Sequence, residues 1–383
     1  MLLSKENITL VNIIILQQTF GAGSVKAVKI LELIRQNNLL DNPFCDSTIK
    51  SVLQNKDADR ILSFDIENAY KIIDDCIKNN IYVITICDND YPERLRNIND
   101  RPLVLYIKGN FFDTDNQPLI SVVGPRKISE YGKKASFSLA KRLSRAGMTI
   151  VSGAAVGADT FAHQGALSAG GNTIAVLGCG ICYDYLPENR ALRQKISENG
   201  FLISEYPPYA AATKYSFPVR NRIISALSLG TVVIEASLKS GSLITARLAN
   251  DQGRDVFVIP GSPTLDNYKG SNALLRDGAI PLLDANDVFN QYLHMFPETI
   301  DVKKAFSEEN KIKKDKNIQK NLNIGLSNEA KIVYNNLNSQ KFTADDLIGL
   351  GLSDDQLLSV LTELEIEGLI KALPGGIYDL TNN

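Results

Sequence analysis

From residue 81 onward the chain alternates short, nearly unbroken apolar runs with longer amphipathic stretches. The runs 81–86, 103–107 and 119–123 read as strands, each bounded by Pro, Asp or Gly. Helices are then predicted over 129–145, 158–169, 189–198, 218–227 and 242–250, alternating with strands over 149–151, 173–177, 201–204, 231–234 and 256–259. The strands are apolar throughout, the mark of a parallel sheet covered by helices on both faces. The pattern predicts an α/β, Rossmann-like domain over 81–295.

The flanks follow other rules. Residues 1–80 read as short amphipathic helices, and Phe20-Gly21-Ala22-Gly23-Ser24 joins two of them. This is either a helix-hairpin-helix (SAM-like) unit whose backbone N–H groups hold a phosphate, with Lys26 beside them, or a plain αα-hairpin whose turn also needs glycine. Residues 296–325, with Lys303, Lys304, Lys311, Lys313, Lys314, Lys316 and Lys320, read as a solvated linker. Residues 326–383 give helices over 327–337, 343–348 and 353–367, then two strands, 369–372 and 377–380, around Pro374-Gly375-Gly376. That is a winged-helix plan. Its third helix carries Asp354, Asp355, Glu363, Glu365 and Glu367, which repel phosphate. The module therefore reads as a protein-contact or regulatory element, or as a stability cap.

Composition changes the picture in one place. The 383 residues carry 41 Lys plus Arg against 43 Asp plus Glu, a formal charge of -2 that taken alone speaks against nucleic acid. Residues 117–290 alone hold 18 basic and 13 acidic residues, +5, and the remainder is -7. The basic surface therefore belongs to the α/β domain. The 44% hydrophobic content excludes dominant disorder. No apolar stretch approaches the ~20 residues of a membrane span, and residues 1–6 lack a secretory pattern, so a cytoplasmic protein without membrane contact is expected. Five Cys suggest no disulfide framework. Cys179-Gly-Ile-Cys182 is a redox pair, half a zinc site or a reduced structural pair. With His163 and His294 far apart, no metal or other cofactor is expected.

Ligands bind a doubly wound sheet at the carboxyl ends of its strands. The residues there are Gly124-Pro125-Arg126, Ser152-Gly153, Gly178, Glu235, Ser240-Gly241-Ser242 with Thr245, and Pro260-Gly261-Ser262. Small residues at helix N-termini present N–H and hydroxyl donors to anions, although tight turns also use them for geometry alone. Lys214-Tyr215-Ser216-Phe217-Pro218-Val219-Arg220-Asn221-Arg222 interleaves cations with aromatics at a helix start, where cations oppose the helix dipole and call for an anionic partner. Phosphate contact with base stacking fits this, as does a hydrophobic staple whose Arg residues pair with carboxylates. Asp159 and His163 are spaced to meet on one helix face, without a nucleophile beside them. Glu235 is either a general base or a counter-charge to Arg126 or Arg220.

In order along the chain, Ser121-Val-Val-Gly-Pro-Arg126, Ser152-Gly-Ala-Ala-Val-Gly-Ala-Asp159, Ser204-Glu-Tyr-Pro207, Phe217-Pro-Val-Arg-Asn-Arg222, Ser240-Gly-Ser-Leu-Ile-Thr-Ala246 and Arg254-Asp-Val-Phe-Val-Ile-Pro-Gly261 resemble the DNA-processing protein A (DprA/Smf) family of natural transformation. The resemblance is strong over about 85–290. It implies a non-catalytic, homodimeric protein that binds incoming single-stranded DNA and loads the RecA recombinase. It also implies DNA contacts at Arg126, Lys214, Phe217, Arg220 and Arg222, with Gly124, Ser152, Gly153, Asn221, Ser240, Gly241, Ser242 and Thr245 around them. Val156 and Pro125 depart from the family pattern. The competing class is a nucleotide-cleaving phosphoribohydrolase-like enzyme, whose Pro-Gly-Gly-x-Gly-Thr-x-x-Glu signature is absent: the only Pro-Gly-Gly, Pro374 to Gly376, lies in the C-terminal wing with no such Glu following.

Overall fold

A computed structural model describes residues 5–307, 326–337, 341–347 and 349–381. They fall into two units, Met1–Ala305 and Phe306–Asn383.

The first unit is built on strands β1 (Tyr82–Thr85), β2 (Val104–Gly109), β3 (Leu119–Val123), β4 (Thr149–Ser152), β5 (Thr173–Leu177), β6 (Gly200–Ser204), β7 (Gly230–Val233), β8 (Asp255–Val258) and β9 (Ile280–Pro281). Their order in the sheet is β1-β2-β6-β5-β4-β3-β7-β8-β9. From β3 the chain winds one way through β4, β5 and β6, and then the other way through β7, β8 and β9. The reversal lies between β3 and β7, which pair in parallel through Ser121↔Thr231. A crevice opens outside the strand ends at such a switch point.

The sheet is mixed, not wholly parallel: β2 runs antiparallel to β6, and β1 antiparallel to β2. An apolar run records burial but not direction, so the hydrophobic pattern could not distinguish these two strands from the rest.

The N-terminal helices, among them Lys5–Phe20 and Val25–Gln36, share one apolar core with the sheet rather than forming a separate 1–80 domain. Gln17 shows why. Its amide accepts from the Val104 N–H at 2.7 Å and donates to the Glu205 carbonyl at 2.7 Å, so a buried side chain extends the polar pairing of β2 and β6.

The linker also begins later than residue 296. Ile300 and Ala305 are buried, and the Asp301 N–H donates to the Ala146 carbonyl at 2.9 Å. Lys311, Lys313, Lys314, Lys316 and Lys320 lie outside the described residues.

The second unit has helices Asn328–Asn335 and Asp354–Ile366, the latter closed by a reciprocal Ser353–Gln356 capping box. Its sheet has three strands rather than two, with Ile377–Leu380 between Lys341–Thr343 and Ile370–Leu373. The helix expected over 343–348 is replaced by the end of a strand and a 3-10 turn, Ala344–Leu347. The Asp346 carboxylate takes both the Thr343 N–H (2.8 Å) and its hydroxyl (3.0 Å), a local side-chain bond that competes with helix.

Candidate nucleic-acid interface

The switch-point crevice is walled by two turns pressed backbone to backbone. After β3 comes Gly124-Pro125-Arg126, and the Pro125 carbonyl accepts from the first N–H of helix Ala158–Ser168. Gly157, with φ +92°, sits against this turn: a Cβ there would lie 2.3 Å from the Pro125 oxygen and 2.5 Å from that of Arg126. Only glycine satisfies both constraints. Gly157→Ala is expected to cost about 2 kcal/mol or more. A denaturant titration at unchanged m-value checks this, and a midpoint equal to wild type would refute the fixed-turn account.

The turn holds exposed Arg126 at the mouth of the crevice, its guanidinium 5.2 Å from the centroid of the Phe217 ring. Phe217 lies in the first turn of helix Ser216–Leu227, which starts from reciprocal hydrogen bonds between Thr213 and Ser216. The ring packs over Gly178, where a Cβ would approach it to 2.9 Å. Tyr185 packs against the same ring at 5.1 Å and a 38° tilt. Beside it opens a groove of about 370 Å³ lined by Gly124, Arg126, Phe217, Asn221, Ser240, Gly241 and Thr245. Lys214 and Tyr215 are exposed at the entry to the same helix, the ammonium 4.9 Å from the Tyr215 ring centroid. The arrangement sets aromatic rings beside exposed cations.

Other expected contacts face inward. Arg222 is only 2% exposed, its Nη2 2.5 Å from a Glu205 carboxylate oxygen that is equally buried. Its Nε lies 3.3 Å from Asp100, an ion pair without an aligned hydrogen bond. Arg220 is also buried and donates to the carbonyls of Gly153 (2.9 Å) and Val176, tying the ends of β4 and β5 together. The Gly153 N–H is taken by Asp159 at 3.1 Å, and the Ser152 hydroxyl donates to the Val122 carbonyl at 2.7 Å. Ser242 is buried, its hydroxyl 2.7 Å from that of Ser240. Thus Ser152, Gly153, Arg222 and Ser242 shape the rim from beneath, the Ser152 and Ser242 hydroxyls, the Gly153 amide and Arg222 Nη2 being taken by protein partners.

The titratable candidates are similarly occupied. Glu235, fully buried, accepts from the Ser129 N–H and hydroxyl at 2.7 Å each and from Asn267 at 3.0 Å. It holds the start of helix Glu130–Arg145 and is neither a cleft base nor the partner of Arg126 or Arg220. Asp159 and His163 do not meet, because Asp159 binds backbone amides while His163 Nδ1 lies 2.7 Å from Thr173 Oγ1. Burial, only partly offset by Arg220, pushes the Asp159 carboxyl up.

Burial also raises both Cys179 and Cys182 thiols, which are free, so they form a reduced pair rather than a reactive one. No group of three potential metal ligands occurs among the described residues. The N-terminal hairpin is likewise filled from within. The Gly23 N–H donates to Glu205 at 3.0 Å and Lys26 pairs with Asp57 at 2.6 Å, so an internal carboxylate sits where the helix-hairpin-helix alternative would put a phosphate. Tyr185, together with exposed Lys127 and Lys239 near the groove, escaped the sequence reading. Its only signal there is a Tyr in the turn after β5.

A doubly wound sheet whose switch point carries a cation–aromatic rim defines a class of Rossmann-like proteins equipped to hold anionic, flat-ringed ligands. A family model described as DNA recombination-mediator protein A matches residues 82–293, and one described as DprA winged helix domain matches 321–376. The chain belongs to the DNA recombination-mediator protein A (DprA/Smf) family. DNA processing protein DprA of Bacillus subtilis is 40% identical over 215 residues, 56% of this chain and 72% of that one. Protein Smf of Synechocystis sp. is 38% identical over 224 residues, 58% of this chain and only 56% of that relative. The X-ray structure of DprA from Streptococcus pneumoniae superposes with a TM-score of 0.65 at 33% identity, covering 76% of this chain and 99% of that one. Helicobacter pylori DNA processing protein A, whose structure is described by its single-stranded DNA binding mode, matches with a TM-score of 0.51 at 32% identity, covering 56% of this chain and 96% of that one.

Proposed function

We propose that the chain binds single-stranded DNA in the switch-point crevice, protects strands taken up during natural transformation and passes them to a RecA recombinase. The carrying observation is Phe217, its ring 5.2 Å from the Arg126 guanidinium and 5.1 Å from the Tyr185 ring, lining one groove with Ser240 and Gly241. A base stacks on an aromatic face whatever its sequence, while Arg126 and Lys214 meet phosphates. The role is non-catalytic, since Glu235, Asp159 and His163 are all buried in protein contacts. It is carried out in the cytoplasm by a homodimer. Among the described residues no helix is long and apolar enough to cross a membrane.

In fluorescence-anisotropy titrations with labelled oligothymidylate, Arg126→Ala and Phe217→Ala are each expected to weaken binding roughly ten-fold or more. Affinity should fall with salt at a slope of about -0.7 per phosphate contacted. Unchanged affinity in both variants would overturn the reading.

A further inference from the structure

A second groove, of about 390 Å³, runs along helix Glu130–Arg145 from Tyr131 to Arg142, between it and the segments that follow β8 and β9. Its floor is apolar, formed by Leu139, Ile259, Pro260 and Leu282. At its edge stands Tyr131, 58% exposed, with its ring held edge-on by Tyr268 at 6.4 Å. Three residues on is Lys134, exposed, in no ion pair within 4.0 Å among the described residues and near enough to Glu130 to help lower its carboxyl.

We infer that this groove is a second subsite for the same single strand, in which Tyr131 stacks a base and Lys134 meets its phosphate. The inference rests on the proposed function above and extends it.

Continuity with the first groove carries the assignment. Residues 124–131 run without interruption from one groove to the other, and Glu235 pins the joint by binding Ser129, two residues before Tyr131. Lys127 is exposed on that connecting stretch, so cations recur from Arg126 through Lys127 to Lys134. The acidic residues nearby leave this line open. Glu130 is paired with Lys133 at 2.5 Å and Asp266 with Lys269 at 2.6 Å, Glu235 is buried, and Asp284 is exposed on the opposite wall. An exposed aromatic three residues from an exposed cation, one step along from the half-buried Phe217 and its Arg126, repeats in kind the stacking face and phosphate contact that single-strand binding combines.

The test is the length dependence of binding by the full chain, measured with oligothymidylates of increasing length. Wild type should gain affinity until both grooves are filled. Tyr131→Ala with Lys134→Ala should reach its plateau at a shorter length, binding the longest oligomers roughly ten-fold more weakly while the shortest are unaffected. Its salt slope should shrink by about 0.7. Tyr131→Phe should retain the wild-type profile, since the ring is kept.

A double variant with the wild-type length profile overturns the second subsite and leaves the first intact. So does a changed sedimentation mass with an unchanged length profile, which would make the groove an interface between copies. Absence of binding by wild type at every length would instead defeat the proposed function itself.

Discussion

Arg222→Met is expected to lower the unfolding free energy by about 3–5 kcal/mol, because it leaves the Glu205 carboxylate buried without its counter-charge. Among the described residues the one other donor to that carboxylate is the Gly23 N–H. Burial already pushes the Glu205 carboxyl upward against the pull of Arg222, so removing the guanidinium pushes it further. The loss should therefore be smaller in acid, where the carboxyl can protonate, than at neutral pH. Glu205→Gln in the Arg222→Met background should recover part of it, since the amide oxygen still accepts from Gly23. Urea titrations of the four members of this cycle check the claim. Additive single losses would mean that the pair is not coupled. DNA affinity of the folded Arg222→Met protein should match wild type, a result that separates an interior arginine from a contact one.

The second large effect is on the acid limb of stability. Thr173 Oγ1 donates to the Ile150 carbonyl at 2.8 Å, so it accepts from His163, which places the imidazole proton on Nδ1. Nε2 is left buried with no partner, and protonating it would strand a charge near Arg220. Burial, aided by that arginine, pulls the His163 pKa from 6.5 down to about 3.

Above pH 6.5 the ring is neutral in both folded and unfolded chains, and its contribution is flat. Between 6.5 and about 3 the unfolded chain binds a proton that the folded chain refuses, so stability falls with pH, by a few kcal/mol across the window. Asp159 and Glu205, both raised by burial, act with the opposite sign, but they are shared by wild type and variant. His163→Gln should therefore be less stable than wild type at pH 8, with the gap narrowing as pH falls from 6.5 to 4. Parallel stability curves for the two proteins would refute the buried neutral histidine.

Much of the α/β unit could be read from its residues because its strands are buried on both faces. The runs 119–123 and 173–177 coincide with β3 and β5, and the others fall within a residue or two of their strands. Strand direction was not legible, and neither was the three-stranded C-terminal sheet, where Lys341–Thr343 is too short to show a period.

At the rim, Arg126 and Phe217 were legible because they follow a strand or open a helix. Arg220 and Arg222 were not. Three and five residues beyond Phe217, they point into the unit, and the groups that receive them (Val176, Gly153, Glu205) lie far off in sequence. A cation-rich segment declares its charges, while the folded chain decides which of them reach solvent.

Glu205 reaches beyond its own ion pair. Its carboxylate takes the Gly23 amide and its carbonyl takes Gln17, so the helical segment and the sheet are stitched at one residue. Severing the chain near residue 80 would not release a self-sufficient core; it would unseal it. The first 305 residues should melt as one cooperative block, and a protease able to nick that junction must wait for the whole block to open.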